Sequence, residues 1–389
     1  MNRVPFPLSC LFASVLAACA DDVPLPLTAS SLVTGGTHTC AIGVDDTLYC
    51  WGANDRGQLG LGVGDLDGHP RPHRVTGVLR FDRVSAGLAH TCALTSSGAA
   101  YCWGSNFSGQ LGDGTGIYRA EPTPVVGELR FATISAGAFV TCALTAVGEA
   151  YCWGDAPAVG VEDTSGFPQC SAARCSNVPV RVSGGYTFSH VSAGGTFACG
   201  LTTTGATYCW GTNYMGQLGI GSRVNHLAPI AVAPTLTFST ISAGTAHTCG
   251  VTTEGSAYCW GFNQYGELGN GTEADTTLPV PVSGGLAFRS IHAGGFHTCG
   301  VTPDSSAFCW GFGLDGQLGN DSWSSIPHPS PVRGGLRFAD VVVSASGHHS
   351  CGLLSTGATY CWGSDGFGQL GDGTAGGHMN RPLRVVGPQ

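Results

Sequence analysis

The sequence predicts an all-β chain in which one unit is repeated seven times, and three observations predict it. The tetrapeptide Tyr/Phe-Cys-Trp-Gly occurs seven times, with its cysteine at Cys50, Cys102, Cys152, Cys209, Cys259, Cys309 and Cys361. Ten residues before each stands another: Cys40, Cys92, Cys142, Cys199, Cys249, Cys299 and Cys351. The third is composition: 62 glycines in 389 residues with only 11% charged side chains suit many short strands joined by tight turns. Self-similarity at such a period marks stacked supersecondary units that bury a core between neighbours.

Within a unit the cysteine pair defines a hairpin. Folding residues 92–102 about Ser97 pairs Thr95 with Ala99, Leu94 with Ala100, Ala93 with Tyr101 and Cys92 with Cys102. The loop is then Ser96-Ser97-Gly98, a three-residue turn with glycine where φ must be positive. Gly148, Gly205, Gly255 and Gly357 take the same place, while Asp46 and Ser305 replace glycine in copies one and six. Aspartate tolerates that backbone better than serine. Opposed cysteines of a non-hydrogen-bonded pair have Cα atoms about 4.5 Å apart, within disulfide reach. A bridge closing so short a loop contributes on the order of 2–3 kcal/mol. Zinc sites favour Cys-x₂₋₄-Cys pairs near further ligands, and redox sites favour Cys-x-x-Cys. Neither arrangement occurs among the seven pairs, which therefore read as structural bridges. Cys170 and Cys175 form an eighth pair, leaving Cys10 and Cys19.

The rest of the unit is as regular. Phe-x-x-Val/Ile-Ser-Ala-Gly precedes the first cysteine at 81–87, 131–137, 188–194 and 238–244. Gly-Gln-Leu-Gly follows Trp-Gly at 109–112, 216–219 and 316–319, and a variable loop then leads to a Pro-x-x-Val strand, as at 122–125 and 279–282. Several short strands per unit, seven times over, make a seven-bladed β-propeller. The ring is expected to close by pairing residues 31–35 with residues 382–386 in one blade.

The motifs Ser-Ala-Gly-x-x-His-Thr-Cys at 85–92 and 242–249, Tyr-Cys-Trp-Gly and Gly-Gln-Leu-Gly resemble those of the regulator of chromosome condensation repeat family. The resemblance covers about residues 32–387, is to a cysteine-rich exported variant, and implies the same seven-bladed propeller. Nuclear members of the family engage a small GTPase, a partner that export would remove. Secreted β-lactamase-inhibiting proteins with similar propellers work by capturing a protein.

Residues 1–18 read as a signal peptide: Arg3 supplies the positive start, and the apolar run is too short to span a membrane. Leu16-Ala17-Ala18-Cys19 resembles the bacterial lipobox, with Cys19 as the lipid acceptor. Ala20 after it leans towards the outer membrane. An ordinary signal cleaved near Ala18 or Ala20 would instead release a secreted protein. Residues 19–31 read as a tether and 32–389 as the propeller, with a disulfide-closed insertion near 155–180. The expectation is a monomer of the bacterial cell envelope, touching the membrane through its lipid alone.

A formal charge of −9, with 16 arginines and no lysine, lacks the footprint of a nucleic-acid binder. Gly-x-Ser-x-Gly, P-loop and His-Glu-x-x-His motifs are absent, and the carboxylates are scattered. No cofactor or metal is expected. The reading is a non-enzymatic binding or scaffold lipoprotein that presents a propeller rim to an envelope or extracellular protein or glycan. The alternative is an envelope hydrolase or lyase with a site at the channel mouth.

Candidate residues follow from the repeat. His38, His90, His247, His297 and His349 recur two positions before the first cysteine, with Val140 and Phe197 in copies three and four. They read either as metal ligands or, more simply, as hydrogen-bonding groups that hold the neighbouring blade. The seven Trp-Gly tryptophans read as packing anchors. Asp-Gly-Thr at 113–115 and 372–374 reads as a tight turn or a calcium loop. Specificity is expected where copies differ: just after Trp-Gly, Phe107, Tyr214, Met215, Tyr265, Leu314 and Phe367 bring apolar and aromatic groups to one rim, the composition of hot spots. Otherwise they tuck over blade edges. Copy three adds Arg174 within its Cys170–Cys175 loop.

Overall fold

The structure, a computed structural model, describes residues 25–170, 173–344 and 346–389. The signal segment and Cys19 lie outside the described residues. Twenty-eight strands form seven antiparallel four-stranded sheets, each drawn from one contiguous stretch of chain. The second blade runs, from axis to rim, Arg83–Ala86, His90–Leu94, Ala100–Gly104 and Arg119–Pro124. Neighbouring blades touch along their innermost strands, which therefore line the axis. The outermost strands carry the prolines, as in His69–Arg74 and Ile326–Pro331. Proline lacks a donor and suits an edge with no further partner.

The hairpin register is the one the sequence dictates. Cys92 opposes Cys102, Ala93 opposes Tyr101 and Leu94 opposes Ala100, and Thr95 N–H donates to Ala99 O. Gly98 has φ +78°, and Asp46 (+60°) and Ser305 (+68°) adopt the same left-handed conformation. All seven in-blade pairs are bridged, with Cα atoms 4.0–4.1 Å apart, and Cys170–Cys175 is the eighth bridge.

Two expectations about the chain's ends are corrected. Residues 31–35 and 382–386 do not share a blade: Ala29–Thr34 pairs with His38–Gly43, and His378–Arg384 pairs with Thr359–Ser364. A repeat pattern is unchanged by sliding the blade boundary along it, so it does not reveal this phase. The propeller also begins inside the segment read as a tether, because Leu27 and Ala29 are buried against Cys351, Cys361 and Trp51 at the seam between last and first blades.

The core lies between blades. Leu111 and Val125 of the second blade enclose Trp153 of the third, whose indole N–H donates to Gln110 O at 2.9 Å. Gly112 permits this approach: a Cβ there would sit 2.8 Å from that indole nitrogen, and its φ is +66°. The same indole-to-carbonyl bond recurs at every interface, including Trp51 to Gln369 O across the closing seam.

The recurring histidines form a second inter-blade link. His38 Nε2 lies 2.9 Å from Thr91 Oγ1 of the next blade, and Thr91 donates its only hydroxyl proton back to Gln58 O. Nε2 must therefore be the protonated nitrogen. The pattern repeats for His90–Thr141, His247–Thr298, His297–Ser350 and, over the closing seam, His349–Thr39. Each ring is fully buried with Nδ1 unpartnered, and burial drives the imidazoles down, to about 4 for His38 and about 3 for His90, His247 and His349. Spread over five interfaces, they do not converge on a common point.

Candidate binding face

The loop between third and outermost strands and the turn between first and second strands open at the same end of each blade. In the first blade Gly52 faces both His38 and His69. In the first, second, fourth, fifth and seventh blades two side chains shape this loop. Asn106 Oδ1 accepts Leu111 N–H while Nδ2 donates to Thr115 O and Ile117 O. Asn54, Asn213, Asn263 and Asp365 hold the equivalent leucine N–H. Gln110 Oε1 accepts Ser108 N–H, an arrangement repeated by Gln58, Gln217, Gln317 and Gln369 and taken over by Glu267 in the fifth blade. These tethers fix the loop backbone and free the residues between them to vary.

On that scaffold Phe107, Tyr214, Leu314 and Phe367 are 45–65% exposed, Tyr265 is 38% exposed and Met215 is half-buried. The Arg56 guanidinium lies over the Phe107 ring, 5.0 Å from its centroid. Arg223 donates to Tyr214 O and approaches Met215 Sδ at 4.0 Å.

Tyr265 belongs to a cluster the sequence reading missed. Its ring centroid is 5.0 Å from Phe312, 5.9 Å from Phe296 and 6.2 Å from Phe262, all edge to face. His348 extends it, 5.6 Å from Phe296 and 5.5 Å from Phe312, and its Nδ1 is 2.6 Å from Asp315 Oδ2. Asp315 also reaches His378 at 3.6 Å. The signal was available: the residue after Trp-Gly is Ser105 in the second blade and Thr212 in the fourth, but Phe262 and Phe312 in the fifth and sixth.

That exchange leaves two polar groups stranded. Gln110 Nε2 and Gln217 Nε2 reach the hydroxyls of Ser105 and Thr212. Under Phe262 and Phe312 no hydroxyl exists, and Glu267 Oε1 and Gln317 Nε2 are buried without partners. A buried unpaired polar group costs about 1–3 kcal/mol. The two phenylalanines therefore cost their loops a polar partner in exchange for edge-to-face packing against Tyr265 and Phe296.

Comparison with known proteins fixes the family. The profile of the RCC1-like domain matches residues 16–341, and that of the regulator of chromosome condensation (RCC1) repeat matches residues 341–369. The chain belongs to the RCC1-like domain family. The ultraviolet-B receptor UVR8 of Arabidopsis thaliana is 37% identical over 95 residues, 24% of this RCC1-like chain and 21% of the receptor. The probable E3 ubiquitin-protein ligase HERC3 of Homo sapiens is 41% identical over 80 residues, 20% of this chain and 8% of the ligase. The chain thus spans only a small part of these relatives. Prp20p of Saccharomyces cerevisiae superposes with a TM-score of 0.76 at 22% identity, covering 93% of this chain and 87% of its own. Human WBSCR16 gives 0.78 at 20%, covering 87% and 94%. At such identities the likeness is one of fold.

Within this RCC1-like propeller, Glu267 is a carboxylic acid at a position the other Gln-bearing loops fill with an amide. Burial raises its pKa to about 7, against which the Tyr265 N–H bond acts only in part. A raised carboxyl stabilises the fold fully below its unfolded value and loses that contribution as pH rises through the folded one. Glu267→Gln is therefore expected to be about 2–3 kcal/mol more stable than wild type near pH 8.5 and closely matched near pH 4. Urea unfolding at the two pH values checks this.

The RCC1-like repeat also explains the channel wall. Ser85, Ser135, Ser192 and Ser242 each accept an N–H from the next blade's inner strand. In the sixth blade His292 takes that register and sits 3.2 Å from Asp340 of the seventh. Burial lowers the imidazole, but the Asp340 charge and hydrogen bond outweigh it and hold His292 above its ordinary value. Ser290 donates to the same Asp340 oxygen. The serine proton thus points at the acid rather than at the imidazole, which is not the arrangement of a nucleophile and its base.

Asp113 and Asp372 close local turns on Thr115 and Thr374, and Asp113 also receives Arg119 at 2.7 Å. Among the described residues no three His, Cys, Asp or Glu side chains gather to hold a metal ion. In the third blade Ala158 O takes the place of the glutamine carbonyl for Trp210. Arg174 is turned into its own insertion, donating to Ser165 O and Phe167 O.

Proposed function

We propose that this RCC1-like chain is a non-enzymatic binding scaffold that presents its loop face to a protein or glycan partner of the cell envelope or exterior. The observation that carries the reading is the collection of exposed apolar side chains on one face of a disc whose framework is otherwise uniform. Aromatic groups on a rigid support make favourable anchors, because little entropy is lost when they are covered. Protein binding has precedent in the fold: the yeast relative is described by its binding to Gsp1p and histones. The lipobox at Cys19 would tether the disc to the membrane and leave this face free.

The test is capture from envelope extract by wild type and by Tyr214→Ala, Leu314→Ala and Phe367→Ala. Each substitution is expected to weaken binding by about 1–2 kcal/mol while changing stability by less than about 0.5 kcal/mol. Fatty-acid labelling of wild type but not of Cys19→Ser tests the tether. Lower melting with intact partner binding by the folded fraction would make these residues packing groups and sink the reading.

A further inference from the structure

We infer that the aromatic cluster of blades five to seven is a subsite for a neutral hexose unit of a glycan, an inference that rests on the binding-scaffold reading and names the ligand of that face. Phe262, Tyr265, Phe296 and Phe312 form a continuous, half-covered apolar floor, with only Tyr265 more than one-third exposed among them. A pyranose ring has matching chemistry: one face of C–H groups suits an aromatic surface, and a girdle of hydroxyls needs fixed polar partners at its edge.

The edge supplies them. The Asp315 carboxylate is held between His348 and His378, so its acceptor oxygens are aimed before any ligand arrives. The charge around the floor selects a neutral sugar. The loops at 262–275, 312–325 and 365–377 carry seven carboxylates, two of them (Glu267 and Asp365) buried, and no arginine, lysine or histidine. Arg223 and Arg381, from neighbouring segments, are taken up by Asp275 and Asp321. An acidic glycan would meet Asp315 and Glu273 with no free arginine on these loops.

The stranded Glu267 Oε1 and Gln317 Nε2 are the independent sign of function. Serine or threonine at 262 and 312 would satisfy the fold, as Ser105 and Thr212 do. Aromatic rings kept there at the cost of a polar partner point to a ligand that uses them.

The experiment pairs a glycan array and calorimetric titration of neutral hexose oligosaccharides with variants borrowed from the protein's own repeats. Phe312→Ser and Phe262→Thr should keep or raise the melting temperature, yet weaken hexose binding at least about tenfold. Asp315→Asn should weaken it comparably, while Val147→Ala, at a residue exposed in a hairpin at the opposite end of the third blade, should leave it unchanged. Absence of hexose binding, binding indifferent to the three platform variants, or preference for acidic glycans each overturns the inference. If an envelope protein is captured through the same loops while no glycan binds, the sugar assignment falls and the scaffold reading stands.

Discussion

Acidification is expected to unfold the propeller between about pH 5 and pH 4. His38, His90, His247 and His349 stay neutral in the fold down to values near 3–4, and His297 is held well below its ordinary value. Unfolded imidazoles take up protons from about pH 6.5 downward, so each loses about 1.4 kcal/mol per pH unit in that range. At pH 5 His38, His90, His247 and His349 together remove on the order of 8 kcal/mol, and His297 acts in the same direction. Glu267 and Asp365, raised to about 7, and Asp155, raised to about 6, act in the opposite sense, mainly through burial. As the pH falls from 7 to 5 they return about 6 kcal/mol between them. The imidazoles win, and below about pH 4 the carboxyl contribution stops growing while theirs still grows. Urea unfolding across this range measures the net slope. His90→Val, the residue copy three already uses, should recover about 2 kcal/mol of the loss between pH 6.5 and 5. A stability that is flat from pH 6.5 to 4.5 would refute the account.

Trp210→Ala is expected to cost about 3–5 kcal/mol. The side chain is fully buried among Val140, Val159, Val182 and Phe188, and its indole N–H donates to Ala158 O. This interface has little in reserve. Val140 stands where other blades carry the bridging histidine, and Ala198 stands where they carry the accepting hydroxyl. Proteolysis of the variant under native conditions should therefore cut first between the third and fourth blades. Trp103→Ala, whose interface keeps the His38–Thr91 link, should resist longer. Cleavage patterns that do not differ between the two would show that the histidine link adds nothing to local integrity.

How far the sequence could be read depended on whether a feature repeats. Cys92 and Cys102 were legible as a pair because a ten-residue spacing with glycine six residues in leaves one sensible hairpin, and seven copies remove coincidence. Tyr214 and Phe367 were legible because they fall where the copies visibly disagree. Phe262 and Phe312 were not, since they adjoin the invariant Trp-Gly and read as framework until that column is compared blade by blade. Phe296 escaped because its neighbours over the fold, Phe262 and Tyr265, are more than thirty residues away in the chain. Glu267 differs from glutamine only in its terminal group, and only the burial of its orphaned oxygen shows the cost. Ring closure was misread because periodicity carries no information about phase.

That phase has a consequence for biogenesis. Each blade is one uninterrupted stretch, and each cysteine meets a partner only ten residues further along the chain. A polypeptide threading into an oxidising compartment would complete each hairpin, and its bridge, before the next cysteine pair appears. Sequential emergence thus selects the native pairing out of the very large number that fourteen similar thiols would otherwise permit. Only the last seam must wait: Trp51 and Thr39 reach the Gln369 carbonyl when the seventh blade arrives. Assembly order is written into the linear layout, and the finished ring is latched by these side chains together with main-chain bonds such as Ala29 N–H to Gly357 O and Gly373 N–H to Pro70 O.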